Sequence, residues 1–199
     1  FGGSPGATET EAWDGTSWST VAELATPVML GAGAGAQDAA LAFGDSPISG
    51  VTQEFSAPSD FSKMNVGQVY FNSSSTNAFK VTQIKMSAGA WSSGGNLNTA
   101  RDLGGSLGIQ TAAMHFGGRD PGTSGIDTTE TYNGSAWSET ADLTTVKTAN
   151  TGFGTTTAGL SVGGRNPCDA ALNESETWNG TSWTEGSNIN TARYSLNGC

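Results

Sequence analysis

The sequence predicts an all-β protein built as an array of about four repeated four-stranded units, and three observations carry that expectation. First, Trp18, Trp91, Trp137 and Trp183 each open a copy of one segment, in steps of 73, 46 and 46 residues. An aliphatic residue stands six positions later (Leu24, Leu97, Leu143, Ile189), and a threonine eight later (Thr26, Thr99, Thr145, Thr191). Second, a cation follows ten positions after the last three tryptophans (Arg101, Lys147, Arg193), with Val28 in the first copy. Third, the turn pairs Gly44-Asp45, Gly117-Gly118 and Gly163-Gly164 begin twenty-six residues after the first three tryptophans. A repeat of this period is a supersecondary unit that cannot bury its apolar face alone, so its copies must stack.

The third copy shows the strands most clearly. The apolar run from Thr111 to Phe116 ends at Gly117-Gly118, which reads as a strand followed by a turn that glycine makes easily. A polar loop with Gly and Pro, Arg119 to Asp127, comes next. Then Thr129–Tyr132 and Ala136–Glu139 flank Asn133-Gly134, a pair that tolerates the positive φ of a type I′ hairpin turn. The device recurs as Asp14-Gly15 between Trp13 and Trp18, and as Asn179-Gly180 between Trp178 and Trp183. Two aromatics five apart across such a turn are expected to meet. Lys147 to Gly154 leads into the next glycine-ended strand, making four strands in about 46 residues, the blade of a β-propeller.

The second copy is interrupted. Glu54-Phe55 is matched to the Glu-x-aromatic start of the third strand, yet Trp91 follows 36 residues after Phe55 rather than five. The extra segment, residues 56–86, contains Gly67–Phe71, a polar stretch from Asn72 to Asn77, and Ala78–Thr82. This alternation predicts an inserted β-hairpin, near residues 66–82, that projects from the second blade.

The constellation of glycine pair, variable loop, aromatic, tryptophan and cation resembles kelch repeats. The cleanest copies read Gly2-Gly3, Trp13, Trp18; then Gly117-Gly118, Tyr132, Trp137, Lys147; then Gly163-Gly164, Trp178, Trp183, Arg193. Asp45 for the second glycine, Val28 for the cation and a one-residue shorter aromatic spacing depart from the kelch pattern. The signatures of WD40 repeats and of sialidase Asp boxes fit less well. The string Gly67-Gln-Val-Tyr-Phe-Asn, with Thr76-Asn-Ala-Phe-Lys80, resembles a motif of bacteriophage tail and virion-appendage proteins. Asn96–Arg101, nearly repeated at Asn188–Arg193, resembles repeat proteins of marine phages. These resemblances imply a kelch-like propeller over residues 1–199, and a virion or extracellular location.

Composition narrows the partners. A formal net charge of −10 argues against nucleic acid and anionic membranes, both polyanions. No apolar run approaches the length needed to cross a bilayer. The chain begins at Phe1-Gly2-Gly3, in mid-repeat, and stops at Cys199, again within a repeat, so a fragment of a longer protein is expected. Arg193–Cys199 matches the first strand of a repeat, and Phe1-Gly2-Gly3 the end of its second. An arc of a larger ring is favoured over a four-bladed ring with an open seam, and its apolar end faces would favour self-association. Cys168 and Cys199 read as two free thiols, Cys199 in a core position, with a Cys168–Cys199 disulfide as the alternative.

Chemistry-bearing residues are sparse, and no catalytic, metal-binding or cofactor-binding residue is expected. His115 is the only histidine and aligns with Ala42 and Ser161, a structural place. Glu11, Glu130 and Glu176 each precede a repeat tryptophan by seven residues; recurring in register, they read as ion-pair partners of Arg101, Lys147 and Arg193 rather than as acid/base groups. The Gly31–Gly35 run lacks the Gly-Lys-Ser/Thr of a phosphate loop and suits a crowded innermost strand. The sequons at Asn72, Asn133, Asn173 and Asn179 carry no argument for glycosylation. The loops at 4–8, 46–51, 119–127 and 165–171 differ while the strands do not, which suits recognition by loops on a rigid frame. The expectation is a non-enzymatic binding or structural module, a phage virion appendage meeting cell-surface glycans or neighbouring virion or surface proteins. The alternatives are a kelch-type sugar oxidase or lyase with its active-site residues elsewhere, and a protein–protein adaptor.

Overall fold

The computed structural model describes all residues except 4–6, 14, 30, 45–48, 57–68, 73–77, 82–88, 123–124 and 196–199. The described residues form an arc of antiparallel β-propeller blades. Unit one contributes the pair β1 (Glu11–Trp13) and β2 (Trp18–Thr20). Unit two is β3 (Ala32–Ala36), β4 (Ala39–Phe43), β5 (Thr52–Ser56) and β8 (Ala90–Ser93). Unit three is β9 (Gly105–Ile109), β10 (Ala112–Phe116), β11 (Thr129–Tyr132) and β12 (Trp137–Glu139). Unit four is β13 (Thr151–Thr155), β14 (Ala158–Val162), β15 (Ser175–Trp178) and β16 (Trp183–Glu185). The last three units are four-stranded sheets with neighbours in chain order, and the first is two-stranded. Between β5 and β8, strands β6 (Val69–Asn72) and β7 (Ala78–Val81) pair as a separate two-stranded sheet, apart from the blade.

The hairpin expectation holds at the level of side chains. Trp13 faces Trp18, Tyr132 faces Trp137, and Trp178 faces Trp183 in register, with ring centroids 5.1–5.4 Å apart. Phe55 and Trp91 keep the same contact at 5.2 Å, although the insertion separates them in sequence. Pairing therefore overrides chain distance, and the insertion leaves the blade edge intact.

Trp91, Trp137 and Trp183 also couple their blades to the ones before. Phe116 at the end of β10 meets Trp183 of unit four edge-on at 4.7 Å, and the Trp183 indole N–H donates to Thr129 Oγ1 at 3.1 Å. Phe43 and Thr52 of unit two receive Trp137 in the same way, at 5.0 and 3.0 Å. Phe1 and Thr10 of unit one receive Trp91, at 5.4 and 3.3 Å. Each core cluster accordingly spans two units: Leu41, Phe43, Leu97, Ala113, Tyr132 and Trp137 fill the joint of units two and three. Leu107, Met114, Phe116, Leu143, Trp178 and Trp183 fill the joint of units three and four. The inner strands are narrow for the same reason: a Cβ on Gly152 of β13 would sit 2.4 Å from the Phe116 ring. Gly31–Gly35 runs into and through the innermost strand β3.

This layering makes a prediction about stability. Phe116 is fully buried, whereas Phe153 on the open side of unit four is 36% exposed. Phe116→Ala should cost about 3–5 kcal/mol in chemical denaturation. Phe153→Ala should cost about 1 kcal/mol or less. Equal losses at the two sites would contradict the inter-blade assignment.

Candidate functional site

The joints between blades hold the buried charges. Arg101, in the segment leading from unit two to unit three, is wholly buried and places Nη2 2.6 Å from Glu130 Oε1 on β11. Its Nη1 donates to the carbonyls of Thr128 and Gly117 at 2.6 and 3.3 Å. Glu130 in turn accepts the backbone N–H groups of Asn98 and Thr99 at 2.7 and 3.1 Å. One side chain from the connecting segment thus locks onto the next blade while its own backbone stays with the previous one. Burial lowers the guanidinium pKa from its ordinary value, and the Glu130 carboxylate opposes that shift. Lys147 Nζ lies 2.7 Å from Glu176 Oε1, both wholly buried, and Glu176 accepts the Thr144 N–H at 2.7 Å. The lysine acts as a point charge, without the bidentate fork of arginine.

Glycine is required where the connecting segment comes closest. Gly117 adopts φ +65°, and a Cβ there would lie 2.7 Å from the Lys147 carbonyl. Gly118 donates its N–H to that same carbonyl at 2.8 Å. The glycine pair is therefore the seat for the backbone of the residue at the cation position.

Two sequence expectations need correction here. Glu54 is not the counterpart of Glu130: Phe43 pairs with Thr52 as Phe116 pairs with Thr129, which puts Gln53 in the Glu130 place. Gln53 accepts the Thr26 N–H at 3.1 Å and donates to the Thr26 carbonyl at 3.0 Å. The neutral amide coincides with Val28 at the cation position: where the positive charge is missing, so is the negative one. Glu54 instead accepts the Tyr132 hydroxyl of unit three, and burial first, then that bond, pushes the phenol up to about 12. The second correction concerns the expected ion pairs of Glu11 and Arg193. Both are exposed, and neither joins a salt bridge among the described residues. Pairing needs a neighbouring unit on each open side.

His115 is wholly buried on β10, opposite Glu130, with Phe43 edge-on at 4.9 Å. Its Nδ1 lies 2.9 Å from the Gly105 carbonyl, which can only accept, so Nδ1 carries the proton. Burial, reinforced by the Arg101 charge, pushes its pKa down to about 3. Among the described residues no group of three or more His, Cys, Asp or Glu is placed to hold a metal.

Exposed chemistry gathers on the face where the loops after each glycine pair meet the inter-blade connections. Arg119 forms a two-pronged pair with buried Asp102, at 3.1 and 2.7 Å. Arg165, at the matching place in unit four, stacks its guanidinium 3.6 Å over the Tyr194 ring and pairs with Asp169. Cys168 is exposed on this loop, and Cys199 lies outside the described residues, as do Asp14, Asp45 and residues 46–48 of the loop at 46–51. On the other side of the arc, an apolar cleft of about 400 Å³ lies beside β3, lined by Phe1, Ala12, Ala34, Ala36, Phe55 and Trp91. The Arg165–Tyr194 stack was not legible beforehand; an Arg directly after each of two glycine pairs (Arg119, Arg165) was the available signal.

No protein-family model and no curated protein matches the chain. Solved structures do match. One is the structure of YjhT, 11% identical, with a TM-score of 0.62 and 90% of this chain aligned to 52% of that one. Identity this low shows the fold alone, and the chain spans about half the length of that structure.

Two predictions follow from the joints. Lys147→Val should cost about 3–5 kcal/mol by stranding Glu176, and adding Glu176→Gln should recover most of the loss, since the pair then reproduces Val28 with Gln53. Denaturation of the three proteins decides it, and a double variant no better than the single one would refute the pairing rule. The second is a pH effect. An unfolded histidine takes up a proton near pH 6.5, but His115 in the fold does so only near pH 3. Stability should therefore fall as pH drops through that window, by about 1.4 kcal/mol per pH unit at most. His115→Ser, the residue at the matching position of unit four, should flatten the decline; an unchanged slope would refute it.

Proposed function

We propose that this chain is a non-enzymatic binding module of kelch type that presents its variable loop face to surface glycans or neighbouring proteins, as part of a phage virion appendage. The observation that carries the reading is the division of labour between scaffold and loops. The joints repeat the same Phe–Trp–Thr contact, two of them with a buried cation–carboxylate pair beside it, while the loops after the glycine pairs differ from unit to unit. Such loops, held by a rigid frame, are where recognition residues concentrate. Arg119 with Asp102 and the Arg165–Tyr194 stack supply exposed donors and a flat aromatic ring, groups that suit polyhydroxyl or carboxylate-bearing ligands. The phage setting rests on the string from Gly67 to Lys80 and on the repeated Asn96–Arg101 segment.

The experiment is binding of the 199-residue chain to a glycan array and to intact bacterial cells. Arg165→Ala and Tyr194→Ala should each weaken the interaction by about tenfold or more while leaving the thermal midpoint in place. Binding indifferent to every loop change, or turnover of a sugar or small alcohol by the chain, would sink the reading.

A further inference from the structure

The turns joining the last two strands of units three and four hold a reactive pair of residues. Asn133-Gly134 and Asn179-Gly180 occupy the same place in the two hairpins, directly after Tyr132 and Trp178. Gly134 lies beside Thr111 in the turn between β9 and β10, away from the loop face. Both asparagines are exposed, and both glycines adopt positive φ, +92° and +98°. Neither glycine N–H has a hydrogen-bond partner among the described residues. An unpaired amide nitrogen following an asparagine, with no side chain of its own to obstruct it, is the nucleophile for attack on the asparagine carboxamide.

The two carboxamides are held differently. Asn133 Oδ1 accepts the N–H groups of Ser135 and Ala136, each at 3.0 Å, and its Nδ2 donates to nothing among the described residues. Asn179 Oδ1 accepts the N–H groups of Thr181 and Ser182 at 2.9 Å, and the Thr181 hydroxyl at 2.9 Å as well. Its Nδ2 also donates to Ser182 Oγ at 3.3 Å.

We propose that Asn133 is a site of spontaneous self-modification in the folded protein, and that Asn179 is held back by its two additional hydrogen bonds. The Gly134 nitrogen attacks Asn133 Cγ and gives up its proton; the new N–Cγ bond forms as the Cγ–Nδ2 bond breaks, releasing ammonia. Water then opens the succinimide. Breaking its N–Cγ bond leaves aspartate, and breaking the backbone C–N bond leaves isoaspartate. The carboxamide must turn out of its bonds to the following backbone before it can be attacked, so each bond that holds it raises the barrier. Aspartate suits the turn, since Asp14-Gly15 stands at this place in unit one. Isoaspartate does not. It adds a methylene to the main chain between Tyr132 and Trp137, which pair across the hairpin and lie in the joint of units two and three. A third such pair, Asn197-Gly198, lies outside the described residues. The chemistry uses no residue of the loop face.

The test is peptide mapping by mass spectrometry of the 199-residue chain, incubated at mildly alkaline pH both folded and in urea. In urea the two asparagines should convert at similar rates. In the folded chain Asn133 should convert faster than Asn179 by about threefold or more, the effect of two exposed neutral hydrogen bonds. Thr181→Val with Ser182→Ala should bring Asn179 up to the rate of Asn133, and Ala136→Ser should slow Asn133. Aged chain carrying isoaspartate at position 133 should denature at lower urea than the Asn133→Asp variant. Conversion in urea but not in the fold, equal folded rates at the two sites, rates indifferent to the turn substitutions, or an isoaspartate chain as stable as Asn133→Asp would each overturn the proposal.

Discussion

The arrangement depends on one constraint: a cation buried between blades must find its carboxylate there. Taking an arginine or lysine out of water costs several kcal/mol, and only a well-placed counter-charge with further hydrogen bonds offsets it. Arg101 meets that demand with Glu130 and the carbonyls of Thr99, Gly117 and Thr128, and Glu130 meets its own with two backbone N–H groups. The geometry needed for those contacts fixes where the connecting segment crosses and how the glycine pair receives it. A pair of this kind contributes modestly to net stability and strongly to register, because a blade displaced by one residue would leave both charges unpaired in the interior.

Around this electrostatic pin sits an apolar one. Phenylalanine at the end of the second strand, tryptophan on the next blade's outer strand and a threonine hydroxyl form a three-part contact that recurs at each interior joint. The indole supplies buried area while its N–H stays satisfied, which is the condition for burying tryptophan without loss. Two different chemistries thus specify the same neighbour. The exposed surface is correspondingly free to vary.

Much of this was legible in the sequence, and the parts that were not have physical reasons. The tryptophan period, the Asn-Gly turns and the glycine pairs are local signals, each set by a backbone requirement within a few residues, and they located the blades. The ion pairs could be anticipated because Glu130 and Arg101 recur in register. Gln53 was not legible as its equivalent because it carries no charge: Glu54 stands beside it, and the insertion after Ser56 displaces the tryptophan that would fix the count. Counting back two residues from Phe55, as Glu130 stands two before Tyr132, would have found it. The Phe–Trp contacts were not legible at all, since their partners belong to different units and no local pattern links Phe43 to Trp137.

The coincidence of Val28 with Gln53 turns the ion pairs from a repeated motif into a rule. Had the carboxylates served a purpose of their own, in catalysis or in binding a cation from outside, the second blade would have no reason to lose its carboxylate where the first connection lacks its cation. Instead the two positions change together, although they lie on different units and meet only in the fold. The amide keeps the hydrogen-bonding half of the task, receiving and donating to Thr26, and drops the charge that would have had no partner. What is preserved across the joints is the balance of buried charge, with the particular residues free to differ. The buried glutamates therefore belong to the scaffold, and the exposed loops that the scaffold holds in place carry none of that constraint.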